Sequence, residues 1–269
     1  MHTFINANVG DVVLQYDDRQ TQAAVGTGTG VLGDQKKVSA RAFGGRFVAD
    51  DQLRPQGVMI FGEGLPVELT SGGQTYDYLA GGLDIVAHEL THGVTQHSSR
   101  LLYRNESGAL NESFSDIIGT SVEFFFQPIG NALRHADYLI GEDVVRPGGI
   151  RSMANPAAYR QPDHYSHRSL SRDDNGGVHT NSGISNHAFY LAIEGGTNRT
   201  SGLRVTGVGA ANREQIEKVF YHAFVYKLIP RATFHTARLA TIQSARDIYG
   251  NDGAAVRAVT EAWTAVGVN

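Results

Sequence analysis

The stretch Asp84-Ile85-Val86-Ala87-His88-Glu89-Leu90-Thr91-His92 constrains this chain more than any other. Helical positions four apart lie nearly one above the other, so a helix here offers the His88 and His92 imidazoles to one point, with Glu89 beside them. Two histidines at that spacing around a glutamate are half of a zinc site with a base at hand. The five-residue pattern also arises by chance, as two exposed histidines on an ordinary helix, so a third ligand is the deciding feature.

A catalytic zinc takes three protein ligands and keeps a fourth position open. The run Asn105 to Asp116, Asn-Glu-Ser-Gly-Ala-Leu-Asn-Glu-Ser-Phe-Ser-Asp, predicts a second helix with Glu112 facing inward. Two such helices, antiparallel across a short connection, bring Glu112 opposite the histidines. With H-E-x-x-H at His88 to His92 and N-E-x-x-S-D at Asn111 to Asp116, the sequence resembles the thermolysin family of zinc endopeptidases. The resemblance runs with small gaps from about Met59 to Asn269, with a shorter match at Gly28 to Lys36. It implies an α+β fold, zinc ligation by His88, His92 and Glu112, and Asp116 on His88 and Asn111 on His92 fixing the imidazoles.

The same resemblance implies further roles. Glu89 takes a proton from the attacking water and passes it to the leaving amine, and Tyr103 and His179 stabilise the tetrahedral intermediate. Asp174, five residues before His179, orients that imidazole. Arg151 binds the carbonyl oxygen of the residue after the scissile bond. Leu79, Ile85, Ile140, Val144 and Ile150 match the apolar wall of the specificity pocket, which implies cleavage before a bulky hydrophobic residue. Plain core packing is the alternative for each of these aliphatics.

Asp84, Glu123, Asp137 and Glu142 form a second acidic group. Carboxylates converging without cations repel one another, whereas several hard oxygen ligands suit calcium. Relatives place a double calcium site there. Leu139 stands where they carry an acid, but that position ligates through its backbone oxygen. Solvated surface acids are the alternative.

Composition narrows the partners. A net charge of -4 with interspersed signs gives no basic face for nucleic acid or an anionic membrane, and no apolar run approaches a membrane span. There is no cysteine, so zinc must use nitrogen and oxygen. A monomer acting on a peptide or protein substrate is expected. The resemblance implies secretion, although the first residues lack the basic start and apolar core of a signal peptide.

Along the chain, Phe4 to Tyr16 alternates like a strand hairpin turning at Asn8 to Asp11, and its wording also resembles the tail of a pro-segment. Residues 1–22 are accordingly expected as a pro-segment remnant or hairpin, 23–82 as a shortened β-rich lobe and 83–269 as the zinc helix with a mainly helical lobe. The shortening lies between Pro55 and Gly57, where relatives carry most of the amino-terminal lobe. Apolar spacing predicts the zinc helix from Leu83 to about His97, with Leu83, Val86, Ala87, Leu90 and Val94 along its buried side. The next helix, Ser107 to Phe126, should bury Ile117, Ile118, Val122 and Phe125. Four more are expected at about Ser182–Glu194, Asn212–Leu228, Thr233–Tyr249 and Gly253–Val266, with Trp263 in the core.

Two functions fit these residues: a zinc endopeptidase, or a zinc- and calcium-binding remnant with little activity because part of the cleft is missing. A zinc aminopeptidase would need an acidic anchor for a free amine, and the resemblance supplies none.

Overall fold

The computed structural model of the chain describes strands at residues 2–5, 12–16, 24–29, 35–43 and 46–49 without their side chains, and residues 61, 64–66 and 69–269 in full. Strands β1 (His2–Ile5) and β2 (Val12–Tyr16) pair antiparallel, as the alternation predicts, while the turn at Asn8 to Asp11 lies outside the described residues. Strands β3 (Ala24–Thr29), β4 (Gln35–Phe43) and β5 (Arg46–Ala49) form a three-stranded antiparallel sheet in sequence order. The junction between Pro55 and Gly57 also lies outside the described residues.

From Thr75 onward the chain is mainly helical. A two-residue strand β6 (Thr75–Tyr76) leads to α1 (Leu83–His97) and α2 (Asn105–Phe126). A loop region follows, carrying β7 (Leu139–Ile140), β8 (Val145–Arg146) and β9 (Arg151–Ser152). Then come α3 (Asp174–Glu194), the hairpin β10 (Gly196–Thr197) with β11 (Arg204–Val205), α4 (Arg213–Tyr226), α5 (Phe234–Tyr249) and α6 (Ala254–Ala265). The β7–β9 pairing sets Arg151 directly across from Ile140. No helix among the described residues is long and apolar enough to cross a membrane.

Helix α2 is the axis of this part, packed on one side by α1 and on another by α3. The close approach of α1 is made possible by Gly119, because a Cβ at that position would stand 2.7 Å from the Asp84 carbonyl oxygen. A mid-helix glycine costs about 1 kcal/mol relative to alanine, and here it lets two backbones meet. Beyond α2 the core is an aromatic stack: Phe114 on Phe224 at 4.9 Å, Phe220 beside Phe224, and Trp263 on Phe220. All four rings are fully buried, and the Trp263 indole donates to Thr241 Oγ1 at 2.8 Å. At the start of α5, Thr233 and Thr236 cap each other reciprocally, satisfying backbone groups that the helix leaves open.

All six expected helices are present, but two faces differ from expectation. Leu90 and Val94 are 47% and 38% exposed, and the buried side of α1 carries Asp84, Ile85, His88, Thr91 and Thr95 along with the expected Ala87. On α2, Phe125 is 81% exposed while Glu123 is buried, although Ile117 is in the core as expected. Helical period gives the spacing of a stripe and not which stripe turns inward. Here the ligating and acidic side chains take the interface between the helices. Helix α3 also starts earlier than expected, because its first turn is an irregular Asp-Asn-Gly-Gly run.

Removing the Trp263 ring should open a cavity in the stack and take away the indole donor to Thr241 Oγ1. Trp263→Ala is expected to lower the unfolding free energy by about 3–5 kcal/mol, measured by denaturant titration. A loss below about 1 kcal/mol contradicts the placement of this ring at the centre of the core.

Candidate metal centre

Helices α1 and α2 run antiparallel where they touch, so residues rising along one meet residues falling along the other. His92 meets Glu112 with 3.3 Å between Nε2 and Oε1, and His88 meets Glu112 with 3.5 Å between Nε2 and Oε2. The two Nε2 atoms are 3.1 Å apart. Ligands bound to zinc at about 2.0–2.1 Å in a tetrahedron stand roughly 3.3 Å from each other, which is the spacing found here. The three side chains therefore fit a zinc ion in their donor atoms and in their mutual distances.

The outer ring nitrogens are occupied. His88 Nδ1 lies 2.8 Å from Asp116 Oδ1, and His92 Nδ1 lies 2.7 Å from Asn111 Oδ1 with Ser115 Oγ at 3.2 Å. Acceptors at Nδ1 place a proton there and leave the Nε2 lone pairs facing Glu112, as metal ligation requires. Asp116 is wholly buried and also takes the Arg151 fork, Nε at 2.9 Å and Nη2 at 2.7 Å. Burial opposes its charge, but Arg151 and His88 outweigh that and hold its carboxyl at about 2.

The pocket is short of positive charge. Burial disfavours a protonated His88, yet its bonds to Asp116 and Glu112 prevail and push it up to about 10. Burial likewise opposes a charged Glu112, and the two histidines overcome it and draw its carboxyl well down. Its Oε2 is buried without a hydrogen-bond donor among the described residues. An anionic cage that holds on to protons is one that a divalent cation can occupy by displacing them.

Two further groups close on Glu112 from the open side. The Tyr103 hydroxyl donates to Glu112 Oε1 and lies 3.1 Å from His179 Nε2, which is itself 3.5 Å from Glu112 Oε2. Burial and the Glu112 charge raise the Tyr103 phenol above its ordinary value, so it stays a donor. His179 Nδ1 sits 2.6 Å from Asp174 Oδ1, and its backbone N–H donates to Asp174 Oδ2. This arrangement depends on a left-handed turn: Asp174, Asn175, Gly176 and Gly177 all have φ between 51° and 92°. Asp and Asn tolerate that region and glycine is at ease in it. Glu89 is half-buried on α1 next to His88.

Of the aliphatic residues, Ile85, Ile140 and Val144 are buried in the core, while Leu79 and Ile150 are half-buried against it. Ile85 and Ile150 both border Gly141. Ile85 and Val144 meet at Gly82, so Ile85, Val144 and Ile150 lie close together, while Leu79 packs against the same core.

The acidic group lies at the other end of the same helix pair. Asp84, Glu123 and Glu142 bring carboxylate oxygens within 4.8 Å of one another. Both oxygens of Glu123 and both of Glu142 are buried without a donor among the described residues. Burial raises all three carboxyls, against the backbone donors Gly141 and Ile85 at Asp84 and with the neighbouring acids adding to it at Glu123 and Glu142. Asp137 is outside this compact trio, its Oδ1 accepting from Leu139 N at 2.6 Å. Asp143, buried and facing the same group, was not anticipated, and its Oδ1 accepts from Arg134 N. Four unpaired carboxylate oxygens in one place fit a hard cation such as calcium.

Residues 99–268 match the family model described as thermolysin metallopeptidase, alpha-helical domain, and residues 54–96 match thermolysin metallopeptidase, catalytic domain. The chain is 47% identical over 214 residues to a bacillolysin of Bacillus caldolyticus and, at the same identity and length, to a thermolysin of Alicyclobacillus acidocaldarius subsp. acidocaldarius. Each alignment covers 78% of this chain and 36% of the relative, so the chain spans about a third of the length of these proteins. Among solved structures, the precursor of protealysin, a metalloproteinase from Serratia proteamaculans, superposes with a TM-score of 0.60 at 31% identity, over 78% of this chain and 63% of that one.

Gly176 is the position where the His179 turn is least tolerant. A Cβ there would run into Asn105 Oδ1 at a φ of +92°, whereas one on Gly72, at φ +61°, would meet open space. Gly176→Ala is expected to destabilise by more than Gly72→Ala, the latter costing about 1 kcal/mol. Equal losses in thermal unfolding contradict a tightly packed turn.

Proposed function

The chain belongs to the thermolysin metallopeptidase family, and from that premise we propose that it is a zinc-dependent endopeptidase cleaving on the amino side of bulky hydrophobic residues. The observation that carries this reading is the His88, His92 and Glu112 triangle, whose edges of 3.1, 3.3 and 3.5 Å suit a tetrahedral ion. Zinc held there supplies Lewis acidity, which makes water nucleophilic near neutral pH and polarises a carbonyl.

The side chains divide the remaining work. Glu89 accepts a proton as the water oxygen bonds to the carbonyl carbon, and hands it to the amine as the C–N bond breaks. Tyr103 and His179 donate hydrogen bonds to the oxygen on which negative charge develops. Asp174, 2.6 Å from His179 Nδ1, keeps the other ring nitrogen aimed at that oxygen. Arg151, anchored on Asp116, holds the carbonyl of the following residue, and the aliphatic group with its edge at Leu79 and Ile150 receives that residue's side chain. Asp84, Glu123 and Glu142, with Asp137 nearby, hold calcium and tie the loop from Asp137 to Glu142 onto the two helices.

A second reading is a metal-binding protein of this fold with little activity. It is favoured by the shortening read between Pro55 and Gly57, where the resemblance implies that relatives carry most of the amino-terminal lobe. Both readings share every metal ligand, and peptide turnover separates them.

Hydrolysis of casein or a blocked dipeptide is expected to be abolished by a zinc chelator, restored by zinc, and lowered at least about 10³-fold by Glu89→Ala without loss of bound zinc. Chelator-insensitive cleavage, or full activity of the variant, contradicts the endopeptidase reading.

Calcium removal is expected to lower the melting temperature by roughly 5–10 °C, the size expected for a ligand at about a hundred times its dissociation constant. It should also open the Asp137 to Glu142 loop to proteolysis. An unchanged melting temperature contradicts a calcium role for these acids.

A further inference from the structure

Asp116 receives one more bond than the zinc reading requires. Each of its oxygens has two donors: His88 Nδ1 and Arg151 Nη2 on Oδ1, and Arg151 Nε and Asn186 Nδ2 on Oδ2. The Asn186 bond is 2.8 Å long and wholly buried, and it comes from α3 across 70 residues of chain. Asn186 itself has no exposed surface. An ionised carboxylate offers only lone pairs, so the amide nitrogen must be the donor. The other end of this amide, Oδ1, is buried with no partner among the described residues. Burying an amide with one end unpaired is unfavourable, and a residue serving only to fill the core would be apolar.

We propose that Asn186 is a positioning residue for the metal centre, fixing the Asp116 carboxylate so that it orients both the His88 imidazole and the Arg151 guanidinium. The Arg151 side chain is long, and its fork can swing together with the carboxylate it grips. Asn186 is short and rooted in the most buried stretch of α3, so it ties that ion pair to the rigid scaffold. It stands seven residues, two turns, after His179, on the same side of the helix. One helix thereby sets the placement of His179 at its start and of His88 and Arg151 through Asp116. The effect on zinc rests on the reading given above, and the test separates the two.

Zinc affinity by competition with a chromogenic chelator, KM and kcat on a blocked dipeptide, and melting temperature are measured for the unmodified chain, Asn186→Leu and Ser185→Ala. Leucine keeps most of the volume and removes the donor. Ser185 is its equally buried neighbour without a bond to Asp116. Asn186→Leu is expected to weaken zinc binding roughly tenfold and to raise KM several-fold, while Ser185→Ala leaves both unchanged. Asn186→Ser, whose hydroxyl is too short to reach Asp116, should show the same losses and serves if the leucine variant does not fold. Variants that lose melting temperature but keep the original zinc affinity and KM overturn the proposal, since that is the behaviour of a core strut. If the unmodified chain binds zinc but cleaves nothing, the endopeptidase reading fails and the zinc comparison still decides the role of Asn186. If it binds no zinc, both fail.

Discussion

Everything described here depends on how two buried helices meet through charged side chains. Asp84 faces Glu123 across Gly119, His88 faces Asp116, and His92 faces Glu112, in antiparallel order along α1 and α2. An interface of that kind is normally apolar. Carboxylates taken out of water are strongly disfavoured unless a cation or several donors compensate them. At the Asp116 level the compensation is internal, from Arg151 and His88. At the Glu112 level the two histidines hold the carboxylate charged, whereas in the acid trio the protein's own donors fall short and the carboxyls are raised, an arrangement that a bound cation would complete. On the proposed reading, metal binding and the docking of α1 on α2 are one equilibrium.

The open side of the centre is built differently from the ligand side. His88, Glu112 and Asp116 are buried and held by helices, while Tyr103 and His179 are exposed, one in the segment before α2 and one in α3 just after its irregular first turn. Rigid elements set the distances within the triangle, and more accessible positions carry the groups proposed to meet a substrate. The left-handed turn from Asp174 to Gly177 is the device that lets an exposed imidazole be held firmly by its own neighbour.

Much of this was legible in the sequence. H-E-x-x-H marked the metal helix because i and i+4 share a face, and the glutamate that joins it is reached by the next helix. The helix boundaries followed from Pro128, Pro230 and Gly250. What was misread was orientation: Leu90, Val94 and Phe125 carry the apolar periodicity of a buried stripe, yet the functional side of each helix turned inward. Periodicity ranks faces by hydrophobicity, and a metal site reverses that ranking. Asn186, Asp143 and the grip of Arg151 on Asp116 had no local signature, because each depends on partners tens of residues away.

The most direct test of the account is X-ray absorption at the zinc edge on the purified, zinc-loaded chain. Two imidazole nitrogens and one or two oxygens at about 2.0–2.1 Å are expected, with the imidazole signal halved in His92→Ala. An all-oxygen shell, or a spectrum that His92→Ala leaves unchanged, would show that the ion does not sit between α1 and α2.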